Sequence, residues 1–185
     1  MERLMGFDRD WLTSRLSSLP REAVAGFPLA CVEGGVAGRF FKCELRARFE
    51  PVRLGTETLT LGAIVARGPG GITFPTERLF RLASGEDGLL RLDRLCRLIQ
   101  ALDHFVVLGR QDTLALDIHP RLFDYVKSGH GQAFTRLLRH FELEPEQFLL
   151  ILPDQVWSES QESPVLVNYR SLGFRIEPRS RIERL

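Results

Sequence analysis

Asp117 is the residue of this sequence best placed to do chemistry. It follows the apolar run Leu114-Ala115-Leu116 and precedes Ile118-His119-Pro120. A carboxylate there can ligate a hard cation or simply hydrogen-bond at a strand end. The other candidates do not assemble into a site. His104, His119, His130 and His140 have no metal-ligand spacing. Ser158 and Ser160 lack the context of a nucleophile elbow. Gly68-Pro69-Gly70-Gly71 is a turn, without the Lys-Ser/Thr that completes a phosphate loop. Glu144 and Glu146 lie in a turn with no partner carboxylate. Cys31, Cys43 and Cys96 are scattered and form no CxxC pair, which argues against a zinc or redox centre.

The elements that must position Asp117 follow from patterning. Asp8 or Asp10 caps a helix that runs to Leu19, with Trp11, Leu12 and Leu16 near one face and Pro20 ending it. Residues 28–32 form a short apolar strand. Residues 40–52 form a strand with Phe41, Cys43, Leu45, Ala47 and Phe49 on one side. Residues 59–66 are nearly all apolar, as in a strand covered on both faces. Residues 54–58 form the hairpin between them. Pro75 starts a helix carrying Leu79, Phe80, Leu82 and Ala83, residues 85–88 break it, and a longer helix spans 89–105. Strands at 113–118, 148–152 and 174–176 then alternate with helices at 120–126, from Gly131 to Phe141, and at 161–172, with Gly129-His130-Gly131 as an interruption. Such alternation means βα units and a parallel sheet.

Bulk properties fit one globular α/β domain. The chain has 185 residues, 44% apolar and 26% charged, with a net charge of +1 that gives no field for nucleic acid. Arg175, Arg179, Arg181 and Arg184 gather near the C-terminus, where a solvated tail is the expectation. The odd cysteine count implies a reducing compartment. No run approaches the roughly 20 apolar residues that cross a bilayer. No membrane association and a cytoplasmic location are therefore expected.

Several short motifs, in order, resemble the EAL domain, the barrel that hydrolyses cyclic di-GMP. Phe49-Glu50-Pro51-Val52 is similar to the aromatic-Gln-Pro-aliphatic opening, and Ala63-Ile64-Val65-Ala66-Arg67 stands at the Glu-Ala-Leu-Leu-Arg run. Thr73-Phe74-Pro75 resembles the next helix start, and residues 79–83 with 88–93 resemble a helix pair. Asp117-Ile118-His119-Pro120 corresponds to Asn-aliphatic-Ser-Pro. Leu143-Glu144-Pro145-Glu146-Gln147 and Leu172-Gly173-Phe174-Arg175-Ile176 resemble two later turns. Reading Glu44-Leu45-Arg46-Ala47-Arg48 as the signature instead leaves Phe49-Glu50-Pro51-Val52 unmatched and adds a hairpin.

The resemblance implies metal ligands at three positions that here hold Ala63, Asp117 and Ile151. Alkyl groups cannot ligate a cation, and Asp154 does not replace Ile151. After Ile176 the sequence reads Glu177-Pro178-Arg179-Ser180, without the family's next carboxylate pair. Residual nucleotide binding would rest on Arg67, with Glu50 standing where the family has Gln; Arg67 could equally pair with Asp117. No phosphodiesterase activity, no metal and no cofactor are then expected.

The implied fold is α/β, an incomplete or modified EAL-type TIM-like barrel with an N-terminal helical and β-hairpin segment. Residues 1–36 would pack on a degenerate EAL-like domain at 37–185. A closed barrel of this type takes about 250 residues, so an exposed edge and an apolar flank are expected, covered by the N-terminal segment, a second copy or another protein. The leading functional expectation is a catalytically inactive regulatory protein acting through protein contacts or self-association in bacterial motility, biofilm or transcription control. The alternative is a cyclic di-GMP receptor that does not hydrolyse its ligand.

Overall fold

The structure, a computed structural model, describes residues 7–20, 28–83, 85–125, 130–159 and 164–185. Helix α1 (Arg9–Ser17) is capped by Asp8, whose carboxylate accepts the Trp11 N–H at 2.9 Å, and it buries Leu12. Four antiparallel strands follow: β1 (Leu29–Val32), β2 (Gly35–Phe40), β3 (Cys43–Leu54) and β4 (Glu57–Arg67).

The chain turns at Phe41 and Lys42, where the sequence suggests one continuous strand. Phe40 pairs with Cys43, and Phe41 takes a φ of 52°. Partners across a two-residue loop share a face, so the odd–even parity shifts there. Phe40 is buried opposite Cys43, and Phe41, expected on the apolar side, is exposed; the adjacent phenylalanines mask the shift in the sequence.

Strand β5 (Thr73–Phe74) pairs with β4, and α2 (Thr76–Leu82) begins after Pro75. Helix α3 (Gly85–Ala101) starts where the sequence suggests a break, with Glu86 and Asp87 in its first turn, where the helix dipole favours acids. A π-helical turn, Leu102–Val107, ends it. There Asp103 Oδ1 accepts the buried Val36 N–H at 2.6 Å.

The remaining strands are parallel: β6 (Leu114–Asp117) beside β4, β7 (Phe148–Leu152) beside β6, and β8 (Arg175–Pro178) beside β7. Helices α4 (Arg121–Tyr125) and α5 (His130–His140) link β6 to β7, and α6 (Asp154–Glu159) and α7 (Pro164–Ser171) link β7 to β8. Residues 161–163 of the helix expected from 161, and residues 126–129, lie outside the described residues; of the expected Gly129-His130-Gly131 interruption, His130 and Gly131 instead open α5.

The sheet order is β1-β2-β3-β4-β6-β7-β8. The expected α/β class holds, but of the incomplete or modified barrel only an open, mixed sheet is seen, and among the described residues β8 pairs with β7 alone. After β8 the chain turns through Arg179–Arg181 and forms β9 (Ile182–Arg184), antiparallel to β3, with Val52 opposite Arg184.

Alternation along the strands divides two apolar clusters. Phe148, Leu150 and Leu152 of β7 join Leu92, Leu95, Ile99, Phe134 and Leu166 on the helical side. Leu149 and Ile151 face the other way, with Val52, Leu59, Leu61, Ala115 and Ile182. Ile182 of β9 therefore covers the flank that the sequence leaves open. The expected solvated tail is also corrected. Arg175 is bidentate on Glu57 at 2.9 and 2.7 Å, and Arg184 Nε lies 3.3 Å from Glu50. No helix among the described residues is long and apolar enough to cross a membrane.

Candidate functional site

A cavity of about 510 Å3 opens at the carboxyl ends of β4, β6 and β7, the end where ligands bind in parallel α/β sheets. Ala63, Asp117 and Ile151 all line it. Asp117 and Ile151 are register partners, and Gly62 pairs with Leu116 one step below. The three positions singled out in the sequence are thus brought together. Glu50 and Arg67 are not. Arg67 lines a separate surface depression with Arg39, Phe41 and Lys42. Glu50 lies on β3 opposite Leu61 and is 3.3 Å from both Arg48 and Arg184. Asp117 pairs with Arg179 rather than with Arg67: Arg179 Nη1 donates to Oδ1 at 2.8 Å and to Oδ2 at 3.0 Å.

The cavity also contains groups that the sequence reading did not single out. On α3, Arg97 Nε donates to Asp93 Oδ1 at 3.0 Å and its Nη2 lies 2.6 Å from Oδ2, with both side chains almost wholly buried. Burial pushes the Asp93 carboxyl up, and Arg97 opposes that shift. Burial works against the Arg97 charge, but Asp93 and then Tyr169 overcome it and hold the guanidinium pKa above its ordinary value. The i,i+4 spacing of Asp93 and Arg97 within the apolar face of Leu92, Leu95, Cys96 and Ile99 is a legible signal. Arg179 offers none, because its partner lies far away in sequence.

Gln100 follows on the same helix, 7% exposed, and among the described residues its Oε1 has no hydrogen-bond donor. A Cβ on Gly62 would come within 2.6 Å of that oxygen, so the glycine gives the amide its space. His119 stacks on Phe80 with ring centroids 4.3 Å apart, and burial lowers its pKa, favouring the neutral ring. Asp154 accepts the Ser180 N–H at 2.9 Å, a bond that lowers its pKa. Glu77 completes the acidic lining.

A divalent cation of the calcium type asks for six to eight oxygens at 2.3–2.6 Å. The lining does not fit that demand as arranged. Asp93 is committed to Arg97, Asp117 to Arg179 and Asp154 to Ser180. Among the described residues no three His, Cys, Asp or Glu side chains converge as a ligand group.

No protein-family model matches the sequence, and no curated protein does. Solved structures do match by fold. A standalone EAL protein from Vibrio cholerae O395, in its c-di-GMP-bound form, is 17% identical with a TM-score of 0.54, over 75% of this chain and 58% of that one. The Bacillus subtilis protein YkuI, with an EAL domain and solved with its substrate c-di-GMP and calcium, is 19% identical with a TM-score of 0.53, over 73% and 35%. Klebsiella pneumoniae BlrP1, in a calcium and c-di-GMP complex, is 20% identical with a TM-score of 0.52, over 71% and 33%. The chain thus spans about three-fifths or less of the length of these structures.

These likenesses correct one expectation. The sequence reading holds that replaced ligands leave no enzyme. The structures it matches are EAL proteins solved with c-di-GMP, in the Bacillus case as substrate. The cavity here also retains Glu77, Asp93, Asp117 and Asp154. Two alkyl replacements therefore do not establish a loss of activity, and that expectation falls. What the comparisons establish is the fold: residues of this chain are arranged as an EAL-like domain.

Proposed function

We propose that this chain works in cyclic di-GMP signalling and takes the dinucleotide in the cavity at the carboxyl ends of β4, β6 and β7. The observation that carries the reading is the cavity itself. Its volume of about 510 Å3 is within the range of small-molecule sites. Its lining includes a stacked Phe80–His119 pair and the arginines Arg179 and Arg184. Aromatic faces suit guanine bases, and guanidinium groups suit phosphodiesters. Proteins of similar fold are solved with this dinucleotide. Calorimetric titration of the pure chain with cyclic di-GMP tests it. Saturable heat in the micromolar range is expected; none at several hundred micromolar would refute it.

A regulatory output through a partner or a second copy is the second reading. The observation favouring it is the outer side of β8, which has no strand partner among the described residues. Such an edge can template strand addition. Light scattering should find a dimer that a proline in β8 disperses. A monomer at all concentrations would count against self-association.

A further inference from the structure

The cavity matches its carboxylates with arginines, and the two buried-end and mouth pairs are held differently. Arg97 is locked to Asp93 inside α3, 3% exposed. Arg179 lies at the mouth, a third exposed, and one nitrogen serves both oxygens of Asp117, whose side chain is about half exposed. The backbone beneath Arg179 is fixed. Ser180 N–H donates to Asp154, and β9 is in register with β3. A fixed backbone thus presents a long cationic side chain to the cavity, held by a pair that solvent screens. Among the described residues its Nε and Nη2 make no hydrogen bond, which leaves donors for a ligand.

A second observation points to a ligand at the same place. Gln100 Oε1 is buried against the cavity with no donor among the described residues. An acceptor held so is costly unless something supplies an N–H. The edge of a guanine base carries such donors.

We propose that the Arg179 guanidinium takes the part of a divalent cation at this cavity. It neutralises Asp117 in the free protein and turns to the phosphodiester of a cyclic dinucleotide in the complex, so that binding requires no metal ion. The inference rests on the dinucleotide-binding reading above. Its basis is the disagreement between the lining and a cation: three of the four lining carboxylates, Asp93, Asp117 and Asp154, already answer to N–H groups of this chain, which leaves Glu77 alone. A planar fork matches a phosphodiester as well as a carboxylate, so the exchange keeps the charge satisfied in both states. Asp117, left behind, is about half exposed and so open to water, while burial of the rest raises its pKa and makes its charge easier to lose.

The test is calorimetric titration of the full chain with cyclic di-GMP, in EDTA and again in millimolar magnesium or calcium. The expected result is the same Kd within about twofold in all buffers. Arg179→Ala should weaken binding at least tenfold in EDTA, with Arg179→Lys intermediate. Asp117→Asn, which releases the guanidinium, should tighten it about threefold or more. That variant keeps the proposal falsifiable if Arg179→Ala fails to fold, which a thermal melt reports. Binding that appears only with added cation overturns the arginine proposal and leaves the dinucleotide reading standing. So does an Asp117→Asn variant that binds no more tightly. Absence of binding by the wild-type chain in every buffer overturns both.

Discussion

Asp93 and Arg97 face each other one turn apart within α3, Nη2 2.6 Å from Oδ2, in an interior that admits almost no water. The Arg97 guanidinium also lies over the Phe134 ring at 5.5 Å. Removing one partner strands a buried charge, which costs roughly 3–5 kcal/mol. Asp93→Ala should therefore lower the melting temperature by about 10 °C for a chain of this size. Asp93→Leu combined with Arg97→Met should recover most of that loss, because an apolar pair of similar volume replaces the ions. A single variant as stable as wild type would show that water reaches the pair.

Asp103 gives the fold a pH dependence. Burial raises its pKa from 3.8 to about 6, while the Val36 N–H and the Arg46 charge pull the other way. Between those values the folded chain holds a proton that the unfolded chain releases. Stability contributed by the protonated carboxyl is complete below about pH 4 and is lost as pH rises through about 6. The shift corresponds to about 3 kcal/mol at most. Asp103→Asn keeps an acceptor for Val36 and removes the charge. Urea midpoints at pH 4.5 and 7.5 should converge in that variant, and it should be the more stable protein at pH 7.5. An unchanged slope would assign the pH dependence to other groups.

Gly62 and Gln100 form a steric pair. A methyl at Gly62 would lie 2.6 Å from Gln100 Oε1 and 3.3 Å from Leu116 Cδ2. Gly62→Ala should cost about 1–3 kcal/mol as an overpacked interior position. Adding Gln100→Ala should restore part of it, and a double-mutant cycle in denaturant reads the coupling. Additive effects would mean that the amide moves aside freely.

Ile182 covers an apolar face that would otherwise meet water. Ile182→Ala should cost about 2–3 kcal/mol and increase binding of a hydrophobic dye. Glu57→Gln, which breaks the exposed bidentate pair with Arg175, should change stability by less than about 1 kcal/mol. If both variants behave alike, β9 does not seal the sheet.

Local signals made much of this fold legible. The all-apolar run at Phe148–Leu152 is a strand with every residue buried on one face or the other. Of the two aspartates the sequence offers as caps for α1, Asp8 is the one that caps it. Ala63, Asp117 and Ile151 converge on one cavity because each ends or lies late in a strand of the same parallel set. What was hidden depends on contacts between distant segments. The turn at Phe41 shifts the odd–even parity, which the adjacent Phe40 and Phe41 mask, and the incomplete or modified barrel was inferred from resemblance rather than residues. The Arg179–Asp117 pair is hidden because a polar C-terminal stretch reads as solvated until β9 is seen to dock on β3.

The pairing of Val52 with Arg184 joins positions roughly 130 residues apart, a loop closure whose entropy must be met before its contacts reward it. On the ribosome, Val52, Leu59 and Leu61 of the early hairpin therefore lack part of their cover until Ile182 has emerged, the rest coming from Ala115, Leu149 and Ile151. A nascent chain that has not yet added Ile182 carries a transient sticky surface, a natural target for holdase chaperones and a step at which aggregation would begin.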